Sequence, residues 1–407
     1  MSATTRATAP VGTGGERTGT RSPRGAVLAF GAFAVGTSGY VVAGLLPALT
    51  AELGVSPSAA AQLVTAFALA YALGSPLCAA ATARWERRTL LVAALLVTAL
   101  GNGLAALAPG YPSLFAARVV TAIGAAVFTP AASAVAAELT TPQRRGRAVA
   151  LVFGGLTVSL VLGVPFGGAL SDRLGYRAVF AVVAAAALLG AIAVRLLLPR
   201  VPPPPAVRFA ERFAVARDPR VRSLLAATVL GCLAAFSVYT FVAPLLAATA
   251  GIGGSTLNVL LLVYGLGGVL GNIAGGRIVD RWGSRRPLIA VVGLLVVVLA
   301  VLPVAATTVA GAAVALFVWG MATWSFNPPV QHRLIELSPQ GAGLLLSLNA
   351  SAIYLGVGLA GVAGGLILPH GGPALLPLVA SAFTALALVF VVRCWRVPAP
   401  RPRPDGV

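Results

Sequence analysis

The sequence predicts an all-α integral membrane protein. It reads as twelve transmembrane helices in two six-helix pseudo-repeats, with both termini cytoplasmic. Three observations predict this. The chain is 58% hydrophobic and 10% charged, whereas a soluble domain is about a quarter charged. Its apolar residues fall in runs long enough to cross a bilayer, which takes about 20 helical residues. One short basic knot also occurs twice: Gly74, Arg84 and Trp85 return as Gly271, Arg281 and Trp282 at a constant offset.

In chain order, residues 1–24 are polar and read as a disordered cytoplasmic tail. The run at 26–49 is too long for the apolar part of a signal peptide and has no evident cleavage site, so it is the first span. Further spans are predicted at 58–82, 89–108, 111–138, 147–171 and 176–198. These close an N-terminal half at 25–198. The longest interruption, 199–220, carries PPPP at 202–205 and is read as a cytoplasmic linker. Its Phe209 and Phe213, four apart among arginines, suit either a helix on the membrane surface or an unstructured stretch. The second half, 221–396, repeats the pattern at 221–249, 256–279, 287–306, 309–335, 341–369 and 372–394, before a tail at 397–407. Linkers such as LGVSPS, LAPGYPS and LPHGGP supply helix breakers.

All 29 basic residues are arginine. On this topology 26 fall on one face, only Arg173 and Arg177 on the other, and Arg118 inside a span. The arginine-rich face is expected to be cytoplasmic. A net charge of +19 would suggest nucleic acid in a soluble protein. Here the arginines sit between apolar runs and set orientation, so no nucleic-acid partner is expected. Cys78, Cys232 and Cys394 show no metal or redox spacing, and no cofactor is expected. No Ser/His/Asp set or phosphate loop supports an enzyme.

The second knot, GRIVDRWGSRR at 276–286, resembles the loop motif of the major facilitator superfamily through Gly276, Asp280, Arg281, Gly283, Arg285 and Arg286. Span 5, GGLTVSLVLGVPFGGAL, is similar to the antiporter motif of its drug efflux members at Gly155, Gly163, Pro165, Gly167 and Gly168. Span 4 carries Arg118 and Gly124 in a matching arrangement, and span 11 resembles the arabinose, chloramphenicol and purine efflux branch. The resemblance implies the major facilitator fold, with a substrate cavity between the halves near mid-membrane. It implies a gating role for Arg84, Arg87, Arg88, Asp280, Arg281, Arg285 and Arg286, and a close helix contact along the span-5 glycines. The first knot departs from the motif: Ala83 stands where the family has an acid, and Glu86 lies in the turn.

Candidate substrate-binding residues are the polar and aromatic groups inside spans: Tyr40, Arg118, Tyr239, Trp324, Asn327, Asn349 and Tyr354. They suit a small, partly aromatic, neutral or anionic solute. Burying Arg118 costs roughly 2.5–3.5 kcal/mol on insertion scales. None of the ten acids falls at mid-membrane, and Gly39 occupies the place where many relatives carry glutamate. The resemblance therefore implies proton-coupled export of an antibiotic or metabolite across the cytoplasmic membrane by a multi-pass monomer. The missing acid keeps uptake or facilitated diffusion of a sugar or nucleobase as the alternative.

Overall fold

The computed structural model describes residues 23–82, 84–140, 145–203, 217–338 and 342–396. The tails, Ala83 and most of the proline-rich linker lie outside the described residues, as does the side chain of Asp280. Among the described residues every regular element is a helix and there is no strand.

Each helix begins and ends for a local reason. α1 (Pro23–Tyr40) and α2 (Val42–Leu53) form one apolar run bent by 43°. It stops at Gly54, whose φ of 63° suits a residue without a Cβ. α3 (Pro57–Ala81) opens on proline, the residue whose missing N–H is no loss at a helix start. α4 (Arg87–Ala106) is capped by Glu86, whose carboxylate accepts from the amides of Arg88 and Thr89 at 2.9 and 2.8 Å. α5 spans Tyr111–Glu138. α6 (Arg145–Val158) passes through a π turn, Ser159–Gly163, into α7 (Val164–Leu197). The π turn comes just before Pro165, which has no N–H to give; the Val164 amide reaches back to the Ser159 carbonyl.

In the second half, α8 (Pro219–Thr240) is capped by Asp218, and α9 (Val242–Ala250) continues it to Gly251 at φ 64°. α10 (Gly254–Trp282), α11 (Arg285–Ala305), α12 (Val309–Ser325), α13 (Asn327–Leu337) and α14 (Ala342–Arg396) follow. α7 and α14 each hold two helices in one run. Gly175 (φ 77°, ψ 164°) and Gly372 (φ 68°, ψ 176°) break them at the predicted boundaries between spans 5 and 6 and spans 11 and 12. Among the described residues nine helices are long and apolar enough to cross a membrane, or ten with the bent α1–α2 pair.

The halves meet along three lines: α3 against α14, α10 against α6, the π turn and α7, and α2 against α8 and α9. One large core runs through both halves. A second, smaller core belongs to the C-terminal half alone, built from residues such as Val221, Leu288, Phe326, Leu345 and Val391. It lies near the helix ends that carry Arg220, Arg285, Arg333 and Arg393. The shared core thus does not extend to the arginine-rich end of the C-terminal half.

Candidate functional site

Contacts between the halves are polar and close at the end away from the arginines. Ser58 Oγ donates to the Gly365 carbonyl and Gln62 Nε2 to the Gly361 carbonyl, both at 3.3 Å. Asn258 Nδ2 donates to Asp172 Oδ2 at 3.1 Å. A methyl group added at Gly168 would overlap the Asn258 side chain, and one at Gly265 would come within 2.8 Å of Val161 Cα. On α3 the contact face runs through Ser58, Gln62, Thr65 and Leu69 at helical spacing. One and two turns further along the same face, Leu73 and Leu77 are 67% and 66% exposed. Methyl groups added at Gly154 on α6 or Gly276 on α10, nearer the arginine-rich end, would meet nothing within 4 Å. Among the described residues the hydrogen bonds between the halves lie at this one end, and none is found toward the arginine-rich end.

Where the seal begins, the halves enclose a cavity of about 10 Å³, room for roughly one water. Gly39, Tyr40, Ala43, Val64 and Phe67 line it from one half; Phe236, Tyr239, Thr240, Tyr354 and Val357 line it from the other. The walls are aromatic. Tyr40 stacks on Phe236 with centroids 6.0 Å apart, and Trp324 meets the Tyr40 ring edge-on at 6.2 Å. Behind them Tyr239, Tyr264 and Trp319 form a cluster with centroid separations of 4.7–6.4 Å. On the opposite wall Tyr354 stacks on Tyr71 and tilts against Phe67. Tyr239 Oη and Trp319 Nε1 are buried without a hydrogen-bond partner among the described residues. They are donors held close to the cavity wall.

The predicted binding residues are therefore divided. Tyr40, Tyr239 and Tyr354 line the cavity, and Trp324 lies one ring behind it. Asn327 and Asn349 do not line it. Asn349 Nδ2 donates to Asn327 Oδ1 at 3.0 Å, and Thr228 Oγ1 donates to Asn349 Oδ1 at 3.1 Å, tying α8, α13 and α14 together. Arg118 is fully buried one ring away from the cavity, its guanidinium carbon 4.6 Å from the Phe67 ring centre. Phe67 and Phe236 were not singled out by sequence, because nothing distinguishes them from other apolar residues of their runs; Gly39, noted for the glutamate it replaces, also lines the cavity.

The span-5 glycines sit at close contacts. An added methyl would overlap the Ala29 carbonyl at Gly155, Thr37 at Gly163 and Val41 at Gly167, all on the first span. Gly168 instead faces Asn258 across the interface.

The two knots are fastened differently. In the first, Glu86 caps α4 and also accepts from the Val201 amide at 2.9 Å, so it pins the start of the linker. Arg88 Nη1 donates to the Leu198 carbonyl, and the Arg87 amide to the Val201 carbonyl. Burial raises the Glu86 pKa, but hydrogen bonds from Thr89, Val201 and Arg88 outweigh it and hold the carboxyl at about 2. In the second knot Arg281, Arg285 and Arg286 are exposed. Ser284 Oγ donates to Glu336 at 3.1 Å, and Arg333 pairs with the same carboxylate at 3.2 Å. Among the described residues Arg220 pairs with Asp218 at the linker's end, and Arg333 with Glu336 lies in the C-terminal half; neither crosses between the halves.

Residues 28–343 match the family model of the Major Facilitator Superfamily. The chain is 32% identical to the inner membrane transport protein YdhP of Escherichia coli strain K12, over 89% of this chain and 94% of that protein. It is 33% identical to a chloramphenicol resistance protein of Streptomyces lividans, with the same coverage of each. Among solved structures it resembles a bacterial homologue of the human lysosomal transporter Spinster, in an inward-facing and occupied conformation. There the TM-score is 0.70 at 20% identity, over 93% of this chain and 98% of that one.

Proposed function

This chain belongs to the major facilitator superfamily, and we propose that it exports a small, partly aromatic organic compound by alternating access. It is a multi-pass membrane transporter of small solutes; direction, solute and coupling are our reading. The observation that carries the reading is the aromatic cavity between two halves that are sealed at one end and parted at the other. A solute entering from the open end would reach Tyr40, Phe236, Tyr239 and Tyr354 and stack there. The halves would then close at the arginine-rich end and part at Ser58, Gln62 and Asn258.

On this reading the chain has twelve spans. The two long runs divide at Gly175 and Gly372, which takes ten to twelve. The arginine-rich end, the linker and both termini are cytoplasmic, as the arginine asymmetry supports. The membrane is the cytoplasmic one, in line with the name of the Escherichia coli relative. Export of an antibiotic is supported by the name of the Streptomyces relative. The chain acts as a monomer, since each monomer has its own cavity between its halves.

The alternative, uptake or facilitated diffusion of a nutrient, draws on one observation. Among the described residues no carboxylate contacts the cavity, so no proton carrier is evident there. The deciding experiment measures accumulation of labelled chloramphenicol and of labelled adenine in expressing and control cells, with and without a protonophore. Export predicts lower accumulation on expression, restored by the protonophore. Higher accumulation on expression would establish uptake instead.

A further inference from the structure

We propose that Arg118 is the counter-ion for a carboxylate carried by an aromatic solute, reached when the Phe67 ring swings aside. The proposal deepens the cavity reading above and rests on it.

Arg118 is fully buried in the N-terminal half, and among the described residues no carboxylate lies within 4.0 Å of it. Its partners are few and long. Nε donates to the Leu63 carbonyl and Nη1 to Ser38 Oγ, each at 3.5 Å, while Nη2 has no partner among the described residues. Ser38 Oγ donates its own hydrogen bond to Asn102 Oδ1 at 3.0 Å, so that hydroxyl is oriented to accept from Arg118. The rest of the surroundings are the faces of Phe67 at 4.6 Å and Phe180 at 5.9 Å. Ring faces attract a cation but do not neutralise it. A buried charge is retained where it is paired or where it meets a ligand.

The position of this charge is informative. Ser38 and Leu63, its two acceptors, directly precede Gly39 and Val64, which line the cavity. Phe67 belongs to both places: one face covers Arg118 and the ring walls the cavity. Gly39 leaves the ring edge free; a methyl there would sit 3.3 Å from Phe67 Cε1. A rotation of one ring would therefore join the cation to the cavity. The guanidinium presents a planar fork of donors that matches a carboxylate with two parallel bonds. The aromatic walls hold the ring of the same solute. A cationic solute would meet uncompensated repulsion.

The test is isothermal titration calorimetry on the purified full chain in detergent micelles, with two probes of equal size, 2-naphthoate and 2-naphthamide. A charge-assisted pair adds roughly 1.5–3 kcal/mol, so naphthoate should bind at least about tenfold tighter than the amide. Arg118→Gln should abolish the preference while amide binding persists. Arg118→Lys, which keeps charge and loses the fork, should retain part of it. Tyr239→Ala should weaken both probes equally. If Arg118→Gln does not fold, Arg118→Lys takes its place, and a naphthoate preference left unchanged in that variant overturns the proposal. Equal binding of acid and amide by wild type, or a preference that survives Arg118→Gln, overturns the proposal and leaves the cavity reading standing. Binding of neither probe overturns the cavity reading, and this one with it.

Discussion

At one end of the interface, Ser58, Gln62 and Asn258 reach across to the other half, and glycines bring backbones together. At the other end Leu73 and Leu77 of α3 are exposed, and a methyl added at Gly154 or Gly276 would meet nothing within 4 Å. α3 and α10 run through both ends, and α6 continues through the π turn into α7, so helix identity does not decide which end is closed. The difference lies in what the side chains can do. The sealed end uses small residues, two neutral hydrogen bonds to backbone carbonyls and one from the Asn258 amide to the Asp172 carboxylate, with no ion pair among the described residues. The open end carries the arginine knots, whose exposed like charges repel at short range and are screened beyond roughly 10 Å. A transporter that must part and rejoin both ends gains from seals of different chemistry, since one can weaken as the other forms.

The largest effect should come from forcing the sealed end apart. Gly168→Leu puts a branched side chain against Asn258, and we expect transport to fall more than about tenfold with normal membrane levels, as overpacking costs roughly 1–3 kcal/mol. Transport assayed at matched expression checks this. Gly154→Leu, at the open end, should leave the stability of this state unchanged, which a thermal unfolding comparison with Gly168→Leu would reveal.

Next comes closure of the open end. Asp280 is the acid in the second knot, opposite Ala83 in the first. Asp280→Asn should reduce transport about tenfold if closure loses roughly 1.4 kcal/mol. Ala83→Asp should be tolerated. Comparing both variants at equal membrane levels decides whether the knots close a gate or only orient the chain.

A smaller effect is expected at Glu86, which fastens the first knot within its own half. Losing a helix cap costs about 1 kcal/mol, so Glu86→Gln should lower resistance to denaturant by about that amount. The folded carboxyl titrates near 2, below its usual 4.5. Its stabilisation is therefore complete above about pH 4.5 and lost as pH falls toward 2. The gap in unfolding midpoint between wild type and Glu86→Gln should be narrower at pH 3 than at pH 7.

The smallest is Asn258→Ala. Its bond to the exposed Asp172 contributes about 0.5–1.5 kcal/mol at most, so the sealed state should weaken by a few-fold, visible as a modest rise in thiol labelling near that end.

Much of the fold was legible in the sequence because membrane spans are written in long apolar runs and their breaks in glycine. The breaks at Gly175 and Gly372 fall where composition put them, and the span-5 glycines sit at close helix approaches. The site was only partly legible. Tyr40, Tyr239 and Tyr354 stand out as polar groups in apolar runs, and they line the cavity. Phe67 and Phe236 do not stand out, since a span is apolar on its lipid face and its inner face alike and periodicity cannot separate them. Asn327 and Asn349 carry the same polar signal as the tyrosines yet satisfy each other. Glu86 reads as a stray acid until Val201, more than a hundred residues away, is seen to bind it.

The central claim is that the halves are sealed at Gly168 and parted at Gly154. It is tested most directly by single cysteines at these two positions, in a chain with Cys78, Cys232 and Cys394 replaced by serine. Labelling uses a membrane-impermeant thiol reagent, applied to inside-out vesicles and to intact cells. The account predicts that Gly154→Cys reacts in inside-out vesicles and not in intact cells, while Gly168→Cys is silent in the resting state from both sides. Labelling of Gly168→Cys from outside, with Gly154→Cys protected, would contradict it.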